Sequence, residues 1–289
     1  MRVAITGATG LLGDSLCRVL GKAHEVLGLS HRQLEVGDFR QTLQAIRELR
    51  PDAVIHSAGI PDPDRCEADP NRAYQVNAIG TRNVAVACLE SKVQMVYIGT
   101  DQVFDGTKGT DYDEFDQPNP VNVYGRSKLA GESFVREIVP RHYVIRCAWL
   151  YGGQKPNFVT NLLWRAVAGQ QTELAIDHYS TPTDVDDLST SIGAILESGQ
   201  YGTYHATSQG SCSRFEMGRI ILDEAGLPAD MALPISLAED KRLARRPPRT
   251  VLANLALKLC GLPLITAFDV ALRRYVSSLK REELSASNT

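Results

Sequence analysis

The sequence predicts an α/β protein built on a doubly wound parallel sheet, with a smaller mixed lobe in its C-terminal half. Short apolar, β-branched runs alternate with longer helical patterns through the first half of the chain, and this alternation is the signature of successive βαβ units. After Trp149 it gives way to segments interrupted by proline and glycine. A chain of 289 residues with 43% hydrophobic content is large enough to bury such a core.

Each expected strand is a short apolar run, and each expected helix shows apolar residues at helical spacing. The strands of the first half are Arg2–Thr6, Glu25–Leu29, Ala53–His56, Met95–Gly99 and Tyr143–Ala148. The helices between them are Leu12–Leu20, Phe39–Leu49 and Asn71–Leu89. The second half is expected to hold a strand at Glu173–Ile176 and helices at Asp186–Glu197, Phe215–Ala225 and Thr266–Leu279.

These elements predict two lobes. The dinucleotide-binding domain is expected to take residues 1–152, and the chain is expected to return to it from about 173 to 205. The smaller lobe, expected to bind substrate, takes about 153–172 and 206–281. The polar tail 282–289 is expected to be disordered.

Composition excludes several classes of function. A formal net charge of −3 gives no reason to expect nucleic acid or an anionic membrane as a partner. The start of the chain lacks a secretory pattern, and the apolar stretch from Val251 to Phe268 is interrupted by charged and helix-breaking residues, so a cytoplasmic protein without a membrane span is expected. The six cysteines form no CxxC pair and the six histidines no HExxH, so we expect reduced thiols and no metal site.

A glycine-rich loop follows the first expected strand and opens the first helix, which is the position that a phosphate-binding loop requires. Its glycines permit a tight turn, a close approach of backbone to pyrophosphate, and close packing of the helix. The loop predicts a Rossmann-type fold with a bound dinucleotide, and a bare strand-to-helix turn is the alternative. The cofactor contacts expected here are Gly7, Thr9, Gly10, Leu11, Leu12 and Gly13.

The end of the second strand predicts which dinucleotide is bound. NAD-specific sites usually place an acidic residue there, but this chain has Ser30, His31 and Arg32. Ser30 can donate a hydrogen bond to a 2′-phosphate and Arg32 can pair with it bidentately. NADPH is therefore the expected cofactor, and NADH is a second candidate. The alternative for Arg32 is a solvated loop charge that does not contact the cofactor.

Tyr124 and Lys128 form the pattern with the most direct chemical meaning. Residues four apart on a helix share one face, and Pro118 and Pro120 indicate that the helix begins just before Tyr124. A free tyrosine has a pKa of about 10, so a nearby ammonium that favours the phenolate helps it act as an acid near neutral pH. Thr100, at the expected end of the fourth strand, is placed to donate a hydrogen bond to a substrate carbonyl oxygen.

Five segments carry a family resemblance. TGATGLLG, GTDQVFDG, NVYGRSKLAGE, IRCAWLYG and STPTDVDDL resemble, in this order, the motifs of the extended short-chain dehydrogenase/reductases, and within them the dTDP-4-dehydrorhamnose reductase family. The likeness runs nearly from end to end. It implies NADPH-dependent reduction of the 4-keto group of a nucleotide-linked 6-deoxyhexulose.

The resemblance also implies roles for residues that match the family by position. Thr100, Tyr124 and Lys128 would be catalytic, with Tyr124 and Lys128 also touching the cofactor. Further cofactor contacts would be Asp38, Phe39, Ala58, Gly59, Ile60 and Asn77, and Asn77 is alternatively a buried helix residue that caps a neighbouring strand. Substrate contacts would be Thr100, Asp101, Val103, Trp149 and Asn157.

Cations for the substrate diphosphate are expected in the basic segment 241–249, where Arg246 is the preferred candidate and a solvated basic loop is the alternative. Some members of the family hold a magnesium ion between subunits, but no cluster of oxygen ligands in the sequence calls for one. A homodimer is a candidate assembly.

Two other functions fit the same motifs. A nucleotide-sugar 4-epimerase or a related nucleotide-sugar reductase would use the same three residues, although an epimerase retains NAD tightly and Arg32 argues against that. The chain also resembles a non-catalytic, NADP-binding regulatory subunit of methionine adenosyltransferase. Intact Thr100, Tyr124 and Lys128 favour an enzyme, but retained residues do not prove turnover.

Overall fold

The computed structural model describes residues 1–279, and the expected disordered tail at 282–289 lies outside the described residues. The strands are β1 Arg2–Thr6, β2 Glu25–Leu29, β3 Ala53–His56, β4 Gln94–Thr100, β5 His142–Cys147, β6 Leu150–Tyr151, β7 Thr172–Ala175, β8 Tyr179–Ser180, β9 Thr183–Asp184, β10 Gly202–His205, β11 Cys212–Ser213 and β12 Ala232–Ile235. The α-helices are α1 Leu11–Leu20, α2 Phe39–Leu49, α3 Pro63–Ala68, α4 Pro70–Tyr74, α5 Thr81–Ser91, α6 Val123–Ile138, α7 Phe158–Val167, α8 Val185–Ser198, α9 Arg214–Glu224, α10 Leu255–Leu259 and α11 Phe268–Ser278.

The main sheet has six parallel strands in the order β10-β5-β4-β3-β1-β2. β2 lies on one side of β1 and β3 on the other, so the direction of winding reverses at β1. The expected doubly wound parallel sheet is confirmed. In open α/β sheets ligands bind outside the carboxyl ends of the strands at such a reversal.

Helices cover both faces of the sheet, because successive side chains of a strand point to opposite sides. Val3 and Ile5 of β1 pack with residues of α1 and α8 in one core, whereas Ala4 packs with residues of α2, α5 and α6 in the other. All three β1 side chains are fully buried. Burial on both faces explains why these strands read as continuous apolar runs and not as alternating ones.

The helix expected at Asn71–Leu89 is divided. α4 ends at Tyr74, a π-helical turn covers Gln75–Gly80, and α5 follows from Thr81. A π-helical turn contains an extra residue and often marks a functional position. Here it contains Asn77, whose side chain is fully buried.

The smaller lobe differs from the expected division of the chain. The strand expected at Glu173–Ile176 forms as β7, but it pairs with β12 in a separate two-stranded sheet and does not join the main sheet. The return to the dinucleotide-binding domain begins later, with α8 and β10. Part of the segment expected in the smaller lobe also packs on the dinucleotide-binding domain, since Leu257 and Ile265 belong to the same core as Val3 and Ile5.

Residues of α7, α9 and α11 form the core of the smaller lobe. Within residues 1–279, no helix combines the length and the apolar content needed to cross a bilayer.

Candidate active site

The glycine-rich loop joins the end of β1 to the start of α1, at the reversal of the sheet. Gly7 has φ of +69°, a conformation that favours glycine, and the N-terminus of α1 follows at Leu11. A Cβ atom on Gly13 would lie 2.1 Å from the Gly7 carbonyl oxygen. The loop and helix therefore pack backbone against backbone. No side chain caps α1 at Gly10, so the first N–H groups of the helix are left for an anion.

Two adjoining cavities open beside this loop, with volumes of about 500 and 410 Å³. They share a wall made of Gly7, Gly10, Ser57, Gly59, Ile60 and Pro61. The larger cavity is also lined by Leu11, Leu12, Gly13, Thr100, Asp101, Tyr124, Lys128 and Trp149, and the smaller by Thr9, His31 and Ala58. Most of the residues expected at the site thus meet at one trough.

The trough fits a dinucleotide. A glycine cradle at the N-terminus of a helix lies in the middle of it, and a Cβ atom at Gly7 would come within 2.7 Å of the Ala58 nitrogen. A cavity with Tyr124 and Lys128 lies on one side and a cavity with polar residues after β2 on the other. This order suits a nicotinamide end and an adenosine end joined by a pyrophosphate.

The residues after β2 are arranged differently from the expectation. β2 ends at Leu29 as predicted, yet Arg32 is exposed and lies outside both cavities, and the Ser30 hydroxyl donates to Gln33 at 2.7 Å. Glu35, which is not among the predicted site residues, lines the smaller cavity. Its carboxylate lies 3.4 Å from the Arg72 guanidinium and 3.5 Å from the His31 ring.

Tyr124 and Lys128 lie on α6 and face the larger cavity, as the spacing of four residues requires. Asn122 caps this helix by accepting a hydrogen bond from Gly125, and the N-cap fixes the first turn, on which Tyr124 lies. Close packing at Gly125 holds the same turn against the segment that follows β4, since a Cβ there would lie 2.1 Å from the Gln102 carbonyl oxygen.

The electrostatics of the pair differ from the expected ones. Burial raises the pKa of Tyr124, and the Thr100 hydroxyl acts in the opposite direction. Burial also lowers the pKa of Lys128 to about 8. The Lys128 ammonium donates to the Ile98 carbonyl oxygen at 2.7 Å and lies 4.3 Å from the centre of the Tyr97 ring. Lys128 is therefore held by β4, and the expected activation of the phenol by this ammonium is not seen in this arrangement.

Thr100 and Asp101 mark the end of β4 and are both buried. The Thr100 hydroxyl donates to Asp101 at 3.2 Å. Asp101 also accepts hydrogen bonds from Ser180, at 2.9 Å, and from Thr250. Burial raises the pKa of Asp101, while these hydroxyl donors lower it. Asp101 thus joins the sheet to two segments of the second half of the chain.

Asn77 connects two parts of the site. Its side-chain oxygen accepts from the Ile60 backbone at 2.8 Å, and its amide donates to the Ser127 hydroxyl at 3.0 Å. The loop after β3 is thereby tied to α6 beside Lys128. Asn77 lines neither cavity, so it supports the wall and does not form it.

Several residues expected at the site lie elsewhere. Val103 is fully buried in a cluster with Phe104, Tyr112 and Leu252 and lines neither cavity. Asn157 caps α7, and its amide donates to the Tyr275 hydroxyl at 3.0 Å. Asp38 caps α2, and Phe39 is its first residue. Asn157, Asp38 and Phe39 line neither cavity.

Arg246 is engaged by a carboxylate. Its guanidinium lies 2.8 Å from Asp64 and also donates to the Ala244 carbonyl oxygen, and the side chain is buried. It lines a separate cavity of about 390 Å³ together with Arg242 and Arg245. The structure therefore does not present Arg246 as a free cation.

Sequence reasoning missed some residues of the site. Ser57 and Pro61 line both cavities, and Ser180 and Thr250 hold Asp101. Ser180 opens the STPTDVDDL motif, and Thr250 directly follows the basic segment 241–249. For Ser180, the available signal in the sequence was a polar residue followed directly by Thr-Pro-Thr.

Across residues 1–279, no group of three or more His, Cys, Asp or Glu side chains is arranged to hold a metal ion.

The parallel sheet, the glycine loop after its first strand and the Tyr124–Lys128 helix define an extended short-chain dehydrogenase/reductase. Within this class, known families identify the branch. The chain belongs to the family described as RmlD substrate binding domain, whose model matches residues 1–281.

Individual relatives cover nearly the whole chain. The spore coat polysaccharide biosynthesis protein SpsK of Bacillus subtilis is 33% identical over 262 residues, covering 90% of this chain and 92% of that protein. A dTDP-4-dehydrorhamnose reductase of Mycolicibacterium smegmatis is 34% identical, covering 96% of this chain and 86% of that protein. The crystal structure of dTDP-4-dehydrorhamnose reductase from Bacillus anthracis in complex with NADP matches with a TM-score of 0.92 at 36% identity, covering 95% of this chain and 98% of that chain.

Proposed function

We propose that this protein is an NADPH-dependent reductase that converts dTDP-4-dehydrorhamnose to dTDP-L-rhamnose. One observation carries the proposal: Thr100, Tyr124 and Lys128 line a single cavity that continues into the glycine-rich loop. The NADP complex of the Bacillus anthracis relative and the reductase names of the relatives support it.

The glycine loop and residues 58–60 would hold the cofactor, which would supply the hydride. Tyr124 delivers the proton to the keto oxygen, since its raised pKa keeps the phenol protonated until the alkoxide develops. Thr100 turns its hydroxyl from Asp101 to the same oxygen and stabilises the developing charge. Lys128, whose ammonium donates to the Ile98 carbonyl oxygen, would hold the cofactor ribose.

The test is an assay of NADPH consumption with dTDP-4-keto-6-deoxyhexose, with the sugar product identified by NMR. Turnover is expected for the wild-type protein. If the protein binds NADPH but consumes none with any 4-keto nucleotide sugar, the regulatory-subunit hypothesis is favoured. If the protein instead interconverts the C4 epimers of a 4-hydroxy nucleotide sugar without net cofactor consumption, the 4-epimerase hypothesis is favoured.

A pH profile tests the role of Lys128. Its pKa is lowered to about 8, so the Lys128 ammonium loses its positive charge as the pH rises through that value. Tyr124 stays protonated there, because its own pKa is raised. We expect kcat/KM for the keto sugar to fall above about pH 8. In Lys128→Arg, whose charge persists, this decline should disappear, and a wild-type profile that is flat to pH 10 would contradict the assignment.

We propose that the 2′-phosphate is bound by Ser30, His31 and Arg32. His31 already lines the smaller cavity, whereas the Ser30 hydroxyl has to leave Gln33 and the exposed Arg32 side chain has to turn towards the phosphate. Arg32→Ala should raise the KM for NADPH about tenfold and leave that for NADH nearly unchanged, because only NADPH carries the 2′-phosphate. Arg40→Ala, an exposed arginine of α2, is the control. Equal effects on both cofactors would show that Arg32 is only a loop charge.

The homodimer and the cytoplasmic location stay predictions.

A further inference from the structure

Arg214, the first residue of α9, holds its guanidinium between two aromatic rings. The centre of the guanidinium lies 3.5 Å from the centre of the Trp149 ring and 4.4 Å from that of Phe158. Stacking of this kind uses the faces of the guanidinium and leaves the N–H groups at its edge to bind a planar or tetrahedral oxyanion. The side chain is half-buried and so remains accessible.

No carboxylate within residues 1–279 lies within ion-pair distance of Arg214, in contrast to the neighbouring arginines. Arg242 pairs with Asp240, and Arg246 pairs with Asp64. The hydrogen bond found for the Arg214 guanidinium goes to the Met217 sulfur at 3.6 Å, and a thioether is a weak acceptor. A cation that is partly removed from water without an acidic partner costs free energy unless an anion binds there.

The surroundings add positive charge. Burial lowers the pKa of Arg214 to about 9, and Arg242 and Arg246 act in the same direction, while Asp101 acts in the opposite direction. The His178 ring lies 5.1 Å from the Trp149 ring. Burial lowers the pKa of His178 to about 3, and the nearby arginines act in the same direction. Arg214 is therefore the uncommitted member of a cationic group.

Trp149 connects this group to the active site. Its indole lines the larger cavity, and its φ of +42° is unusual for a residue with a side chain. Such a conformation costs about 1–3 kcal/mol and persists where the surrounding structure enforces it. The chain thus fixes an aromatic ring with Arg214 on one side, at the edge of the cavity that contains Thr100 and Tyr124.

We propose that Arg214 binds the diphosphate of the nucleotide-sugar substrate, in the role that the sequence suggested for Arg246. This inference rests on the proposed function. A guanidinium edge pairs bidentately with phosphate oxygens, and two successive phosphates match its row of donors. The cofactor also contains a diphosphate, but the glycine loop and the start of α1 account for that one.

The test is calorimetric titration of the NADP⁺-loaded protein with dTDP and with thymidine. Arg214→Gln should weaken dTDP binding about 10- to 100-fold, because it removes a charge-assisted pair, while thymidine and NADP⁺ binding change less than about twofold. Arg214→Lys, which keeps the charge but not the fork, should show an intermediate loss. Arg219→Gln, an exposed arginine on the same helix, should bind dTDP as the wild type does.

Unchanged dTDP binding in Arg214→Gln would overturn the inference. So would an equal loss of thymidine binding, which would show that Arg214 only supports Trp149. A loss of NADP⁺ binding instead of dTDP binding would assign Arg214 to the cofactor. If Arg214→Gln does not fold, Arg214→Lys decides, and wild-type affinity there would count against a bidentate pair. A wild type that binds dTDP in an Arg214-dependent way but reduces no keto sugar would refute the proposed function and leave this inference standing.

Discussion

Replacing Tyr124 with phenylalanine is expected to lower kcat about a thousandfold, since general acid catalysis contributes about 10²- to 10⁴-fold. The substitution removes one oxygen atom and keeps the ring, which packs against Cys66, Ala73 and Val123. NADPH binding and the melting temperature should therefore stay close to those of the wild type. The measurement is a steady-state assay combined with titration of NADPH fluorescence.

Tyr201→Phe is the matched control, because Tyr201 is exposed and lies far along the chain from the site residues. It should leave kcat unchanged. A Tyr124→Phe variant that keeps more than about a tenth of the wild-type kcat would mean that another group delivers the proton.

Replacing Gly13 with alanine is expected to lower the free energy of unfolding by about 3 kcal/mol or more and to abolish measurable NADPH binding. The new Cβ atom would meet the Gly7 carbonyl oxygen at 2.1 Å, the Gly7 carbonyl carbon at 2.8 Å and the Ala8 Cα atom at 2.9 Å. All three atoms belong to backbone, so no side chain can rotate away. The loop or the helix has to move, and both are parts of the cofactor site.

Gly10→Ala separates stability from binding. Its Cβ atom would lie 3.2 Å from the Gly7 carbonyl oxygen, which a small shift can accommodate. This variant should melt near the wild-type temperature but bind NADPH more weakly, because the methyl group stands where the pyrophosphate approaches. Thermal unfolding with and without NADPH distinguishes the two variants. Wild-type melting and binding in Gly13→Ala would refute the packing argument.

Patterns that are local in the sequence predicted the structure well. β1, β2 and β3 have the expected bounds, because short apolar runs flanked by turn residues fix both strand type and length. Tyr124 and Lys128 face one cavity, because four residues on a helix set a fixed angle. The glycine loop follows from the same kind of short-range constraint.

Pairings between distant segments were beyond such reasoning. Asp64 neutralises Arg246 from a position 182 residues earlier in the chain, and nothing in either segment indicates the other. The orientation of the Lys128 side chain depends on its hydrogen bond to the Ile98 carbonyl oxygen of β4. The place of Arg214 between Trp149 and Phe158 depends on how the smaller lobe packs, which periodicity does not define.

The return of Leu257 and Ile265 to the core of Val3 and Ile5 has a consequence for how the chain is made. While only the first half of the protein has emerged from the ribosome, one face of the sheet lacks α8 and these two side chains. That apolar face stays open to water and to other nascent chains until residue 265 has emerged from the exit tunnel. Truncation near residue 152 should accordingly yield an insoluble fragment, and a circular permutant that keeps both halves should remain soluble.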